Sequence, residues 1–167
     1  KGVEFWAQHE ATLARAEAEY GVSAQVIVAI IGVETFYGGN TGSYRVMDAL
    51  STLAFDYPPR APFFRKELRE FLLLTREEQV EPLSMTGSYA GAMGLPQFMP
   101  SSFRAYAVDF DGDGHINIWT NPVDAIGSVA SYFKRHHWQP GQPVVSAATV
   151  TGAQAEQGLT VGLDPVK

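Results

Sequence analysis

The sequence predicts a mainly α domain, and three observations carry the prediction. Several stretches place apolar residues at three- and four-residue spacings. Capping and turn residues separate those stretches. The chain of 167 residues, 46% hydrophobic and 12% aromatic, is long and apolar enough to bury one core, so disorder is not its main state.

Residues 4 to 20 set Trp6, His9, Leu13, Ala16 and Tyr20 on one face, with Arg15, Glu17 and Glu19 between them, and Gly21 ends this helix. Ser23 is the N-cap of a second helix, apolar almost all round from Val26 to Val33, which belongs in the interior. Gly38 to Gly42 is a turn-rich loop, and 46 to 55 is a short helix. Tyr57 to Pro62 (YPPRAP) reads as a rigid, extended connector. Phe64, Leu68, Phe71 and Leu72 mark the next helix, and a Thr75/Glu78 capping box starts another. Residues 87 to 99, rich in Gly and Met, form a loop. Ser101 to Val108 is a short helix, and Asn121-Pro122 opens one that carries Ile126, Val129, Ala130 and Phe133 on one face. From Gln139 the chain turns to Gly, Pro, Val and Thr, with Val144 to Val145 and Val150 as strand candidates.

A net charge of −6, with 12 basic residues mostly scattered, argues against nucleic acid as a partner. The local cluster of Arg65, Lys66 and Arg69 is offset by Glu67 and Glu70 and reads as a solvated helix face. The absence of cysteine excludes disulfides, zinc thiolates and cysteine nucleophiles. The longest apolar run falls far below the roughly 20 residues of a membrane span. The chain begins at Lys1 with neither initiator Met nor leader, as a processed or trimmed chain would.

Two places carry chemistry. Glu34, in GVETFYGGN, sits at the end of the most apolar helix, where burial and the negative helix pole both favour the neutral carboxyl a general acid needs. From position alone it is either such an acid or a carboxylate that bonds loop amides or pairs with an Arg. Phe36, Tyr37, Tyr44 and Tyr57 lie near it in sequence, and aromatic walls suit sugar rings, although aromatic residues also build cores. The second place is DFDGDGHINIW, residues 109 to 119. Asp109, Asp111 and Asp113 occupy loop positions 1, 3 and 5, Gly114 position 6, and His115 the carbonyl-donor position 7 of an EF-hand-like calcium loop. Thr120 replaces the usual Glu at position 12, and Asp124 is the natural substitute in a loop running from 109 to 124. The alternative is a loop of Asx turns without metal.

Together, GVETFYG (32 to 38), GSYAGAMGLPQFMPSSF (87 to 103) and DFDGDGHINIW followed by NPVDAIGSVASYF (109 to 133) resemble the lytic transglycosylase B family, in its membrane-bound and soluble forms. The resemblance spans about residues 20 to 140. It implies a lysozyme-like α fold that cleaves the β-1,4 bond between N-acetylmuramic acid and N-acetylglucosamine without water, leaving a 1,6-anhydromuramyl end. It implies Glu34 as single acid/base, and Ser88, Gln97, Phe98, Met93, Tyr132, Arg60 and Tyr37 as substrate-binding positions. It implies a structural calcium at Asp109, Asp111, Asp113, His115 and Asp124, and peptidoglycan strands as partner, with other cell-wall enzymes as further partners. The implied location is the periplasm, in soluble or lipid-anchored form.

The catalytic domain is then expected over 1–138, with 139–167 a segment that starts a further cleft-forming part. Relatives have a single Asp where this chain has Thr120-Asn121, and they carry further segments, so a fragment is expected. Glycosidases with two carboxylates set them about 5 Å apart or wider. Here Glu67, Glu70, Glu77, Glu78 and Glu81 read as solvated, which leaves Glu34 alone. A hydrolytic muramidase, or a calcium-stabilised glycan-binding fragment without turnover, is the alternative; a calcium sensor would need paired loops.

Overall fold

The computed structural model describes residues 1–145 and 147. It is mainly α: α1 Gly2–Gln8, α2 Glu10–Tyr20, α3 Ala24–Thr35, α4 Val46–Phe55, α5 Ala61–Glu77, α6 Pro100–Tyr106 and α7 Pro122–Arg135, with a 3-10 turn at Pro58–Arg60. Two short strands, β1 Tyr44–Arg45 and β2 Thr86–Gly87, pair antiparallel with Tyr44 opposite Gly87. Gly42 (φ 89°) passes so close to the Gly87 carbonyl that a Cβ would collide with it, which is why this crossing needs glycine.

The helices pack around two apolar clusters. Phe5, Leu13, Ala16, Val22, Ile27 and Ile31 of the first three helices meet Ile126 and Val129 of α7 in one. Val46, Leu50, Phe64, Phe71, Leu74, Met93, Phe103 and Ile118 build the other. α7 lies along the seam, since its Tyr132 packs on the second cluster and its Phe133 on the first.

Local signals place several boundaries. Gly21 closes α2 in the left-handed conformation (φ 72°), and the Asn121 side chain accepts the Val123 N–H at 3.0 Å to cap α7. Elsewhere packing overrides the local pattern. The stretch 4 to 20 breaks at His9 (φ −121°, ψ 22°), so Phe5 turns onto Tyr37, ring centroids 5.2 Å apart, while α2 presents Leu13 and Ala16. Ser23 occupies the N-cap of α3 without a side-chain bond, and the Ala24 N–H instead donates to Glu17 Oε2 at 3.2 Å.

YPPRAP is not extended. It forms the 3-10 turn and enters α5, where Pro62 falls in the first helical turn and loses no hydrogen bond. α5 then runs unbroken through Thr75, whose buried hydroxyl donates back to the Leu72 carbonyl (3.2 Å) rather than capping a new helix. Val144 and Val145 are exposed and form no strand, and Val150 lies outside the described residues.

Of the acids read as solvated, Glu77 and Glu81 are exposed, while Glu67, Glu70 and Glu78 are wholly or partly buried. Glu67 is 1% exposed and accepts both the Ser101 N–H (2.9 Å) and the Ser101 hydroxyl (2.8 Å), so it caps α6 from a neighbouring helix. Arg104 of α6 pairs with Glu70 and Glu77. Its bond to Glu77 is the main cause that holds that carboxyl below the usual range. Glu78 Oε2 accepts the Ile116 N–H at 3.2 Å. These carboxylates tie α5 to its neighbours, a pairing that no local pattern encodes.

Candidate functional site

α3 presents three faces. Ala24, Ile27, Val28, Ile31 and Thr35 point into the core, while Gln25, Ala29 and Val33 are exposed, so the helix is not wholly interior. Ile30 and Glu34, one turn apart, look into a groove of about 300 Å³. Pro96, Gln97, Phe98 and Met99 of the 87–99 loop, Ser102 of α6, and Val129, Tyr132 and Phe133 of α7 complete its walls.

Glu34 is exposed in this groove, contrary to the buried acid the apolar helix predicts. The helix buries its other side, which leaves the groove face open. Glu34 is the single carboxylate in the groove lining among the described residues. Immediately beyond it, Phe36 (φ 54°) and Tyr37 (φ 61°) both take the left-handed conformation, at a cost on the order of 1 kcal/mol each. The chain therefore turns sharply away from the acid.

The facing loop is equally constrained. Met93 bridges both Gly87 and Phe98. Gln97 (φ 50°) donates from Nε2 to the carbonyls of Thr41 (3.1 Å) and Gly94 (2.9 Å), which pins it to the 38–42 loop. Its Oε1 has no donor among the described residues. Phe98 packs against Tyr132 at 5.5 Å, and Tyr132 stacks on His136 at 4.0 Å, giving an aromatic wall.

Of the residues named from sequence, Glu34, Gln97, Phe98 and Tyr132 come together in the groove. The others stand outside its lining. Ser88 Oγ accepts the N–H groups of Ala90 (3.2 Å) and Ala92 (3.0 Å) and so shapes the loop. Met93 is fully buried in the second cluster, Tyr37 packs on Phe5, and exposed Arg60 lies over the Phe63 ring at 4.6 Å. Sequence reasoning missed Ile30, Pro96, Met99, Ser102, Val129 and Phe133. Ile30 is four residues before Glu34 and Val129 four before Phe133, so extending those helix faces would have found them.

A larger open cavity, about 510 Å³, is lined by Glu78, Met85, Ile116 and Trp119 together with Asp113 and His115. It lacks Glu34 and the Phe98–Tyr132 wall, so the smaller groove is the better candidate for glycan chemistry.

In the acidic loop, carboxylate oxygens of Asp109, Asp111 and Asp124 lie within 4.8 Å of one another. Two oxygens each about 2.4 Å from one calcium ion can be no more than about 4.8 Å apart, so this spacing fits a shared hard cation. The Asp113 carboxylate is not in the converging group, and its Oδ1 accepts the His115 N–H at 2.8 Å. Backbone donors hold the cluster open. The N–H of Gly114, ahead of those of Gly112 and Asp113, lowers the Asp109 carboxyl below the ordinary range. Asp124 is fully buried, and burial pushes its carboxyl up against the opposing N–H bonds from Asn117 (2.8 Å) and Phe110 (2.7 Å). No Lys, Arg or His pairs with these three among the described residues, and the one side chain that donates to them there is the neutral Asn121 amide, to Asp111 at 2.7 Å. An oxygen-only site with uncompensated negative charge suits calcium and offers no open nitrogen or sulfur chemistry.

Comparison with known proteins bears on both places. The family profile described as "Transglycosylase SLT domain" matches residues 1–165. The chain is 58% identical over 147 residues to membrane-bound lytic murein transglycosylase B of Escherichia coli (strain K12), covering 88% of this chain and 40% of that protein. Soluble lytic transglycosylase SltB1 from Pseudomonas aeruginosa superposes with a TM-score of 0.94 at 76% identity, over 99% of this chain and 56% of that one. Escherichia coli lytic transglycosylase Slt35 in complex with calcium superposes with a TM-score of 0.83 at 59% identity, over 86% and 46%. The chain thus spans about half the length of these relatives, or less.

Proposed function

Because the chain belongs to the SLT transglycosylase family, we propose that it carries the core of a peptidoglycan lytic transglycosylase with Glu34 as its single acid/base. The observation that supports this reading most is the groove itself: one carboxylate, faced by an amide and an aromatic wall, with no second acid in the lining among the described residues. Two-carboxylate hydrolysis has no partner group there.

In the proposed reaction Glu34 gives its proton to the glycosidic oxygen as the bond from that oxygen to C1 of the muramyl sugar breaks. The resulting carboxylate takes the proton of the C6 hydroxyl while O6 closes onto C1. One bond breaks, one forms, the acid is restored and no water is consumed. Gln97 offers Oε1 to a sugar hydroxyl or amide, and Phe98 and Tyr132 offer ring faces. Ser88, Met93 and Tyr37 act by shaping the walls, and Arg60 meets the peptide or acidic part of the substrate. The 109–124 loop holds a structural calcium through Asp109, Asp111 and Asp124, with Asp113 and the His115 carbonyl as further ligands. Residues 1–138 form the catalytic domain, and most of 139–167, read from the sequence as the start of a further cleft-forming part, lies outside the described residues. The setting is the periplasm.

Digestion of purified peptidoglycan followed by mass spectrometry tests the reading. Anhydromuramyl products, lighter by one water than their reducing-end counterparts, are expected. Products with reducing ends only would replace it with a hydrolytic muramidase, and binding without release would leave a glycan-binding module.

A further inference from the structure

The Glu34 carboxyl makes no hydrogen bond to any described residue, so something else must fix it relative to the facing loop. The neighbouring side chain does so by geometry. Thr35 is 1% exposed, and its hydroxyl donates to the Leu95 carbonyl at 2.9 Å, across sixty residues of sequence. The hydroxyl has one proton, and the alternative acceptor, Ile31 O in its own helix, is farther at 3.3 Å. The same oxygen accepts the Gly38 N–H at 3.1 Å, and the Thr35 carbonyl accepts the Asn40 N–H at 2.8 Å. Leu95 is anchored on its far side, where its N–H donates to Ile118 O at 2.8 Å. One buried hydroxyl therefore joins the last turn of α3, the left-handed turn at Phe36–Tyr37 and the loop whose next residues, Pro96, Gln97 and Phe98, form the opposite wall.

We propose that Thr35 is a positioning residue for the reaction: its hydroxyl latches the end of α3 to Leu95 and thereby sets the distance between the Glu34 carboxyl and the Gln97–Phe98 wall. The proposal rests on Glu34 being the acid. A latch of this kind acts on geometry in the transition state, where displacements of about 1 Å cost up to a hundredfold in rate. It leaves the sugar contacts themselves in place, so it should affect kcat more than KM.

Thr35→Val keeps the branched shape and removes the donor, whereas Thr35→Ser keeps the donor. With purified peptidoglycan strands, T35V is expected to lower kcat about tenfold with KM changed by less than about twofold, and T35S to stay within about threefold of the parent. Because Thr35 works through Glu34, T35V should add less than about twofold to the loss already caused by E34Q. Hydrogen exchange at the Gly38 amide should quicken in T35V and not in T35S. Wild-type kcat in folded T35V, or losses that multiply in the double variant, would overturn the assignment. Should T35V fail to fold, T35S decides: a tenfold loss despite the retained hydroxyl contradicts the latch. If E34Q leaves turnover intact, the acid assignment falls by itself, and Gly38 exchange still decides whether the bond exists.

Discussion

Glu34→Gln is expected to lower peptidoglycan turnover by at least about 10³-fold while leaving the melting temperature within about 2 °C. General acid–base transfer contributes roughly 10²- to 10⁴-fold when one group performs one transfer. Here one group performs both, giving the proton to the leaving oxygen and taking one from the C6 hydroxyl, so the amide disables each step. A loss of 10³ corresponds to about 4 kcal/mol of transition-state stabilisation. The side chain is exposed and bonds to no described residue, so its replacement by an isosteric amide breaks nothing in the fold. Initial rates of muropeptide release, set beside a thermal melt of the same preparation, check both halves. A tenfold loss or less would mean that another group supplies the proton.

The second large effect is on stability. Calcium that binds only the folded chain stabilises it by about 2.7 kcal/mol when free ion is a hundredfold above the dissociation constant. For a domain of this size that is roughly 5 to 10 °C of melting temperature. Excess chelator is expected to remove that increment and added calcium to restore it. Magnesium should restore less, because it demands a tight octahedral shell. Asp124→Asn should abolish the response and lower the calcium-free melting temperature as well. Its two carboxylate oxygens accept the Phe110 and Asn117 N–H groups, and an amide can accept at only one of them, which costs about 1–3 kcal/mol. Differential scanning fluorimetry with and without chelator measures this directly. An unchanged melting point in excess chelator would refute a bound structural ion.

Much of this architecture is legible from residues near one another in sequence. The end of α2, the span of α4 and the start of α7 follow from Gly21, the apolar period and the Asn121-Pro122 cap, because caps and periodicity are properties of a few consecutive residues. What the sequence conceals depends on distant partners. Glu67 looks like a surface residue until α6 arrives with Ser101 to be capped, and the break at His9 follows from where Phe5 and Leu13 must be buried. The strand pair is hidden because each strand contributes two residues and the pairing spans the whole of α4 and α5.

The site divides in the same way. Motifs carry Glu34, Gln97, Phe98 and Tyr132, which meet in one groove. Ile30, Val129 and Phe133 were hidden as ordinary apolar positions on helix faces. The exposure of Glu34 was missed because an all-apolar helix signals burial without saying which side stays open.

The central claim, one carboxyl acting alone, is tested most directly by a crystal structure of the Glu34→Gln variant with an uncleaved muropeptide. The substituted amide is expected within about 2.6–3.2 Å of the glycosidic oxygen, with sugar rings against Phe98 and Tyr132 and no second carboxylate within reach of C1. A saccharide bound away from this groove, or an Asp or Glu about 5 Å across the bond from the substituted side chain, would contradict it.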